Sequence, residues 1–336
     1  MLRVLLNTGG AITVREVLAI EVTAAAVRAV RIGGIGPGRA VRAYAERPLP
    51  PDLLVPSNSL PNVQDEPAFA RILAEAVGPR PPRRARLVLP DRSVRVHVLT
   101  LDAIPPGGPD LRRFLVWRLQ DALPFEPREA RVAYLPAPNG LPNHQVAITL
   151  VAREQVLAQY ERLLGAAGTG AAHVAPAACH LFNLAAQDPE AAEHPFQAFL
   201  GLGPESATLI LSVRGIPQYV RTFLRPGAEP DDRSPVHGLP AAGAPGARHR
   251  ATLPKELVAE LLRSFAHAED EVGLEPPARL LLGGELGHAA PLAAALQEGL
   301  GIPCALLPSP LHRVHRGRPL PPEAHAVLVA AFARIT

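Results

Sequence analysis

The chain has 336 residues, 48% of them hydrophobic, which is long enough for two domains rather than a single core. Aromatics are only 4%, so the cores must be built from Leu, Val, Ala and Ile; the net charge of +3, spread over scattered arginines, does not indicate a nucleic-acid or anionic-membrane surface. Two distant cysteines, Cys179 and Cys304, exclude a disulfide framework and suit a reducing cytoplasm. No run of about 18 apolar residues is present to span a membrane, and the apolar start Met1 to Leu6 breaks at Asn7 before it can form a leader.

In chain order, the first hundred residues read as β-rich. Val17 to Thr23 and Val27 to Ile32 form a strand, a short turn and a second strand. Gly33 to Gly38 is glycine-rich, but no helix and no Lys-Ser/Thr follows, so it reads as a hairpin turn. A loop from Arg47 to Pro67 precedes a helix, Ala68 to Val77, stopped by Gly78 to Pro82. Strands follow at Arg86 to Leu89 and Val94 to Leu99, the second alternating as a half-buried strand should.

A compact α+β unit comes next. Pro109-Asp110 can cap a helix over Leu111 to Leu123, with Leu111, Leu115, Leu119 and Ala122 on one face and arginines opposite. Phe114 and Trp117 fall off the Leu face, so this helix can carry a second apolar face. Pro124-Phe125-Glu126-Pro127 ends it. Strands at Ala130 to Leu135 and Gln145 to Val151 lead to an amphipathic helix, Arg153 to Ala167, with Gly168 as its C-cap. After a helix at Ala177 to Ala186, Phe199 to Leu211 repeats the hairpin of the first half. Arg221 to Arg250, rich in Pro, Gly and charge, reads as a loop. Then come a helix from Pro254 to Val272, a strand from Ala278 to Leu282, the turn Gly283-Gly284, a helix from Ala290 to Leu300, a strand from Cys304 to Leu307, and a last helix, Pro321 to Arg334. The hairpin-then-helices pattern recurs in both halves, as in a duplicated two-domain fold.

The order of these pieces resembles the PilM family, cytoplasmic actin-like proteins of type IV pilus assembly, and more distantly FtsA. Several segments carry the likeness together. Leu87-Val88-Leu89-Pro90 leads into Val94 to Leu99, like the strand pair before the family's inserted subdomain. Arg118 to Phe125 is similar to its helix ending in a Pro-Phe step, and Val151 to Val156 with Leu163 to Gly168 to the passage closing that subdomain. Gly215 to Arg221 resembles the strand after the second phosphate segment. Glu256 to Ala266, Leu280 to Gly284 and Ala324 to Arg334 resemble the long helix, the adenosine-motif turn and the closing helix. The resemblance implies an α/β fold of two actin-like (ribonuclease H-like) halves, domain I over 1–185 and domain II over 186–336. The first half would carry an inserted small α+β subdomain at about 105–168. The second would have its fourth subdomain reduced to a low-complexity loop, 222–253, and would keep the C-terminal helix 321–334.

In actin-like ATPases two such hairpins grip ATP, each opening on an Asp followed by a Gly. Here Glu21 and Gly201 stand at the Asp positions and Thr23 replaces the first Gly. Gly203 and the adenosine turn Gly283-Gly284 remain, with Thr208 on the returning strand, while Pro204 has lost its N–H. These seven residues are the expected vestigial nucleotide site. No catalytic residue, no metal and no cofactor are expected; Mg-ATP bound in the interdomain cleft of an active ATPase is the alternative. His173 and His180 beside Cys179, and His312 with His315, have spacings that arise by chance among 12 histidines, and no zinc site is expected. Arg313, Arg316 and Arg318 read as a solvated loop, with acidic lipid headgroups as the alternative partner. By resemblance, the chain is expected to be a non-catalytic scaffold at the inner membrane, held there through partners and not inserted itself. Its partners would be the cytoplasmic tail of a PilN-like membrane protein and other pilus assembly proteins. The expected partner surface is Leu111, Phe114, Leu115, Trp117 and Phe125. A GspL-like secretion protein shares this architecture but continues into a transmembrane helix, which is not expected here.

Overall fold

The computed structural model describes residues 16–34, 39–101, 108–138, 145–187, 195–225, 247–284, 289–307, 314–315 and 318–333. The described residues begin with a three-stranded meander, β1 (Glu16–Val22), β2 (Ala26–Gly33) and β3 (Ala40–Pro48). The helix α1 (Glu66–Val77) follows, its first turn closed by Asp65, whose side chain accepts the Ala68 amide at 2.9 Å. The strand β4 (Arg84–Leu89) then pairs parallel to β1. After an insert, β8 (Gly170–Pro176) adds in parallel to β4, giving the sheet order β3-β2-β1-β4-β8.

The insert begins with β5 (Arg95–Leu101) and continues through α2 (Pro109–Leu119), β6 (Ala130–Pro138) and β7 (Gln145–Arg153) into α3 (Glu154–Ala166). Its own sheet has the order β5-β7-β6, both pairs antiparallel. The expected insert of 105–168 is therefore misplaced at both ends. β5 is hydrogen-bonded along its length to β7 and belongs to the insert. α3 leaves it, burying Val156, Tyr160, Leu163 and Leu164 in the first-half core beside α1. The expected helix to Leu123 ends at Leu119, and a 3-10 turn over Gln120–Ala122 leaves Ala122 exposed.

The helix α4 (Ala177–Ala185) leads to a second meander, β9 (Phe196–Leu202), β10 (Ser206–Val213) and β11 (Ile216–Leu224). β12 (Leu280–Gly284) and β13 (Cys304–Leu306) pair parallel to it, in the order β11-β10-β9-β12-β13. The two large sheets thus share one topology, a meander whose first strand pairs parallel to a later strand, which in turn pairs parallel to one later still. The helices α5 (Ala247–Val272) and α6 (Ala289–Leu300) cover one face of the second sheet, where Leu257, Leu261 and Leu296 meet Leu200, Leu209 and Leu282. α5 starts ahead of Pro254, which lies inside the helix. Most of the expected loop 222–253 lies outside the described residues.

The short strands β14 (Val314–His315) and β15 (Arg318–Pro319) precede the final helix α7 (His325–Phe332). α7 was expected in domain II, yet it packs on β1, β2 and β4 and against α4. Every residue from Ala326 to Ala331 is buried, so the helix is apolar all round and needs cover on all sides. Two arginines fix its C-terminal end. Arg86 donates through Nη1 to the carbonyls of Ala330, Ala331 (3.1 Å) and Ala333 (2.8 Å). Arg39 donates to Ala331 (2.9 Å) and Phe332 (3.3 Å) and lies over the Phe332 ring. Cations here meet the orphan carbonyls and the negative end of the helix dipole. α4 and α7 stand between the sheets, and one core runs through them from Leu18 and Ile20 to Phe199, Ile210 and Leu281.

Candidate functional site

The two hairpins face each other across the cleft between the halves. In the first turn Thr23 serves its own backbone. Its amide donates to Ala26 O at 3.0 Å, and its hydroxyl oxygen accepts the Ala26 amide at 3.0 Å. In the second turn the Gly203 amide donates to Ser206 O at 2.8 Å, and Pro204 has no N–H to offer. These amides, which a phosphate would need, are thus engaged within the hairpins.

The glycines are equally committed. A Cβ on Gly201 would lie 3.2 Å from the Ala178 Cβ and 3.3 Å from the Phe199 ring, so glycine admits the close passage of α4 and a side chain there would push both neighbours back by a few tenths of an ångström. Gly284, at φ +95°, would bring a Cβ within 2.2 Å of Leu202 O, so only glycine lets β12 run this close to β9. Gly283 pairs with Gly201 across the same two strands.

Glu21 sits in a row of charge across three strands. It stands opposite Arg28, which stands opposite Glu46. The Arg28–Glu21 separation is 3.6 Å and Arg28–Glu46 is 3.0 Å, while the Tyr44 hydroxyl donates to Glu46 at 2.8 Å. Arg28 therefore occupies the cationic role beside Glu21. The cavity between the hairpins measures about 30 Å³, room for roughly two waters. Its charged lining, among the described residues, is Glu21, Asp91, Glu205 and Glu323, without lysine or arginine. The engaged Thr23 and Gly203 amides and the close packing at Gly201 do not offer the phosphate cradle of the two hairpins.

Asp91 escaped the sequence reading. It is buried at the start of a 3-10 turn after β4; one carboxylate oxygen accepts the Ala178 amide at 2.9 Å and the other the Thr208 hydroxyl at 2.9 Å. Burial raises its carboxyl to about 6, although those hydrogen bonds favour the ionised form. Glu205 is raised to about 7, first by burial and further by Asp91, with Arg92 opposing. Thr208, expected at the nucleotide, is instead held between Asp91 and Thr222, 3.0 Å away.

Among the described residues no cluster of three His, Cys, Asp or Glu is placed to hold a metal. His180 is lowered to about 4, first by burial and then by Arg86 and His173. Cys179 is buried, and burial raises its thiol. His312 and the side chain of His315 lie outside the described residues.

The structure divides the expected partner surface. Leu111 and Leu115 are fully buried against Leu101 and Ala147, so they belong to the insert core and cannot meet a partner. Phe125 is half-buried against the cluster of Leu119, Val132 and Val151. Phe114 and Trp117 form a ledge, ring centroids 6.0 Å apart, with Trp117 58% exposed between the exposed Arg113 and Arg118. The sequence reading missed a second apolar group. Leu60, 62% exposed, lies on a loop fastened to the root of the insert. There Arg153 and Gln155 both donate to Ser59 O, at 2.6 and 3.0 Å, and Gln159 accepts the amides of Asn62 and Val63. An exposed leucine amid Pro and Ser is the only sequence signal it gives.

No protein-family model and no curated protein matches the sequence. Among solved structures, the chain is similar to one in a "PilM-PilN type IV pilus biogenesis complex", at 23% identity and a TM-score of 0.71, covering 95% of this chain and 98% of that one. It also aligns with a protein of actin-like ATPase fold from Bacteroides thetaiotaomicron (8% identity, TM-score 0.49, 88% and 94% covered). A third match is the cytoplasmic domain of EpsL, an inner-membrane component of the type II secretion system of Vibrio cholerae (12%, 0.48, 95% and 96%). The fold is the two-half actin-like fold that the resemblance implied. No helix among the described residues is long and apolar enough to cross a membrane.

Proposed function

We propose that this protein is a PilM-like adaptor at the cytoplasmic face of an inner membrane, holding the short tail of a PilN-like membrane protein for a type IV pilus or related secretion machine. The observation that carries the reading is the likeness over nearly the whole chain to a structure solved as a PilM-PilN complex. The insert supports it with a helix whose inner face is spent on the core and whose outer face presents Phe114 and Trp117. An extended tail can bury a few apolar side chains against such a ledge and add main-chain hydrogen bonds. The engaged Thr23 and Gly203 amides and the close packing at Gly201 support an adaptor that needs no turnover.

The test is titration of the full chain with the N-terminal peptide of the PilN-like protein encoded beside it. Micromolar binding is expected, and none at high micromolar concentration overturns the adaptor. The ATPase reading is checked in the same experiment by adding millimolar Mg-ATP. A ligand specific to the folded state raises Tm, and no rise is expected.

A further inference from the structure

We propose that Asp91 is an interdomain latch, a single carboxylate that ties the first half to α4 and to β10 so that the cleft stays shut on protein groups alone. The carboxylate is delivered rigidly. The Ser93 amide donates to Pro90 O at 2.9 Å, closing the turn, and the Ser93 hydroxyl donates to Asn62 Oδ1 at 2.5 Å, anchoring it to the first-half body. α4 has Pro176 ahead of it and no side chain of its own to cap the first turn, so Asp91 supplies the cap from another element. The second oxygen takes the Thr208 hydroxyl, and Thr208 in turn meets Thr222 of β11.

The surrounding contacts across the cleft are apolar, such as Ala178 against Gly201 and the edge-to-face rings of Phe182 and Phe199. Such contacts resist separation but tolerate sliding, whereas a hydrogen-bonded carboxylate fixes direction. β5 begins two residues beyond the turn and packs on β11. The latch therefore also sets how the insert stands on the second half, and it does so whether or not the insert holds a tail.

Hydrogen–deuterium exchange on the full chain tests it, using Thr208→Val, Asp91→Ala and the double variant. Thr208→Val removes the hydroxyl and keeps the α4 cap. Losing a hydrogen bond to a charged group is expected to speed exchange in the 199–211 hairpin about tenfold while leaving 177–179 as in the wild type. Asp91→Ala is expected to speed both regions, and the double variant to open the hairpin no further than Asp91→Ala alone. A hairpin unchanged in Thr208→Val, or single effects that simply add, overturns the latch and leaves Asp91 a helix cap only. If Asp91→Ala does not fold, Thr208→Val decides by itself.

Discussion

Replacing Trp117 and Leu115 one at a time separates partner binding from folding. Leu115 is fully buried in the small core between α2 and its sheet, so Leu115→Ala leaves a cavity and should cost about 2–5 kcal/mol of unfolding free energy. Trp117 is 58% exposed, so less than half of its surface is at stake. That is roughly 60–100 Å² of the about 150–250 Å² an aromatic can bury, or about 1.5–2.5 kcal/mol at most at 25 cal/mol/Å². Alanine retains part of this contact, so the expected loss is nearer 1–2 kcal/mol. If Trp117 anchors a tail, truncation should weaken binding by about 2 kcal/mol or more, roughly 30-fold in Kd. The assay is fluorescence anisotropy with a labelled tail peptide, beside urea unfolding of each variant. The reasoning is refuted if Trp117→Ala binds like the wild type. It is equally refuted if Trp117→Ala loses as much stability as Leu115→Ala.

Two further outcomes are expected. Gly284→Ala forces a Cβ toward Leu202 O from a left-handed φ and should destabilise by about 3 kcal/mol or more, with unfolding midpoints as the check. The pH dependence follows from Asp91, raised from 3.8 to about 6. A raised carboxyl favours the protonated folded state, so its contribution is full below about pH 4 and is lost as pH rises through about 6. Glu205 acts in the same direction up to about pH 7, and Arg92, the Cys179 thiol, Tyr160, Glu21 and Glu323 also stand around the pair. His97 and His180, both lowered to about 4, act in the opposite direction as pH falls below 6.5. The difference between the wild type and Asp91→Asn isolates the Asp91 part: between pH 4 and 7 the variant should lose less stability. Parallel curves would show that Asp91 does not titrate in this range.

The hairpins were legible because local signals set them, apolar strands either side of short turns. The third strand β3 was not, because AVRAYAERP carries charge at the positions that meet β2. Glu46 pairs there with Arg28, a partnership no window of sequence displays. Asp91 was invisible for a related reason, since its partners Ala178 and Thr208 lie 87 and 117 residues along the chain. Leu111 and Leu115 were read correctly as one helix face but assigned to a partner, because periodicity reports that a face is buried and not by what. The placement of α7 had a signal that went unused. A helix apolar on every side cannot lie on the surface of one half and must be enclosed between layers.

That enclosure bears on how the chain is made. Arg86 meets its carbonyl partners 244 to 247 residues later, and β1, β2 and β4 have their inner face covered only when α7 arrives. During vectorial synthesis the first sheet is finished long before the helix that seals it. The first half then waits with an oily face bare while the insert and the whole second half emerge. Pairing two long-separated segments carries a large loop-closure term, so this step is slow beside the local hairpins. The first sheet is therefore sealed by a segment 244 to 247 residues further along the chain.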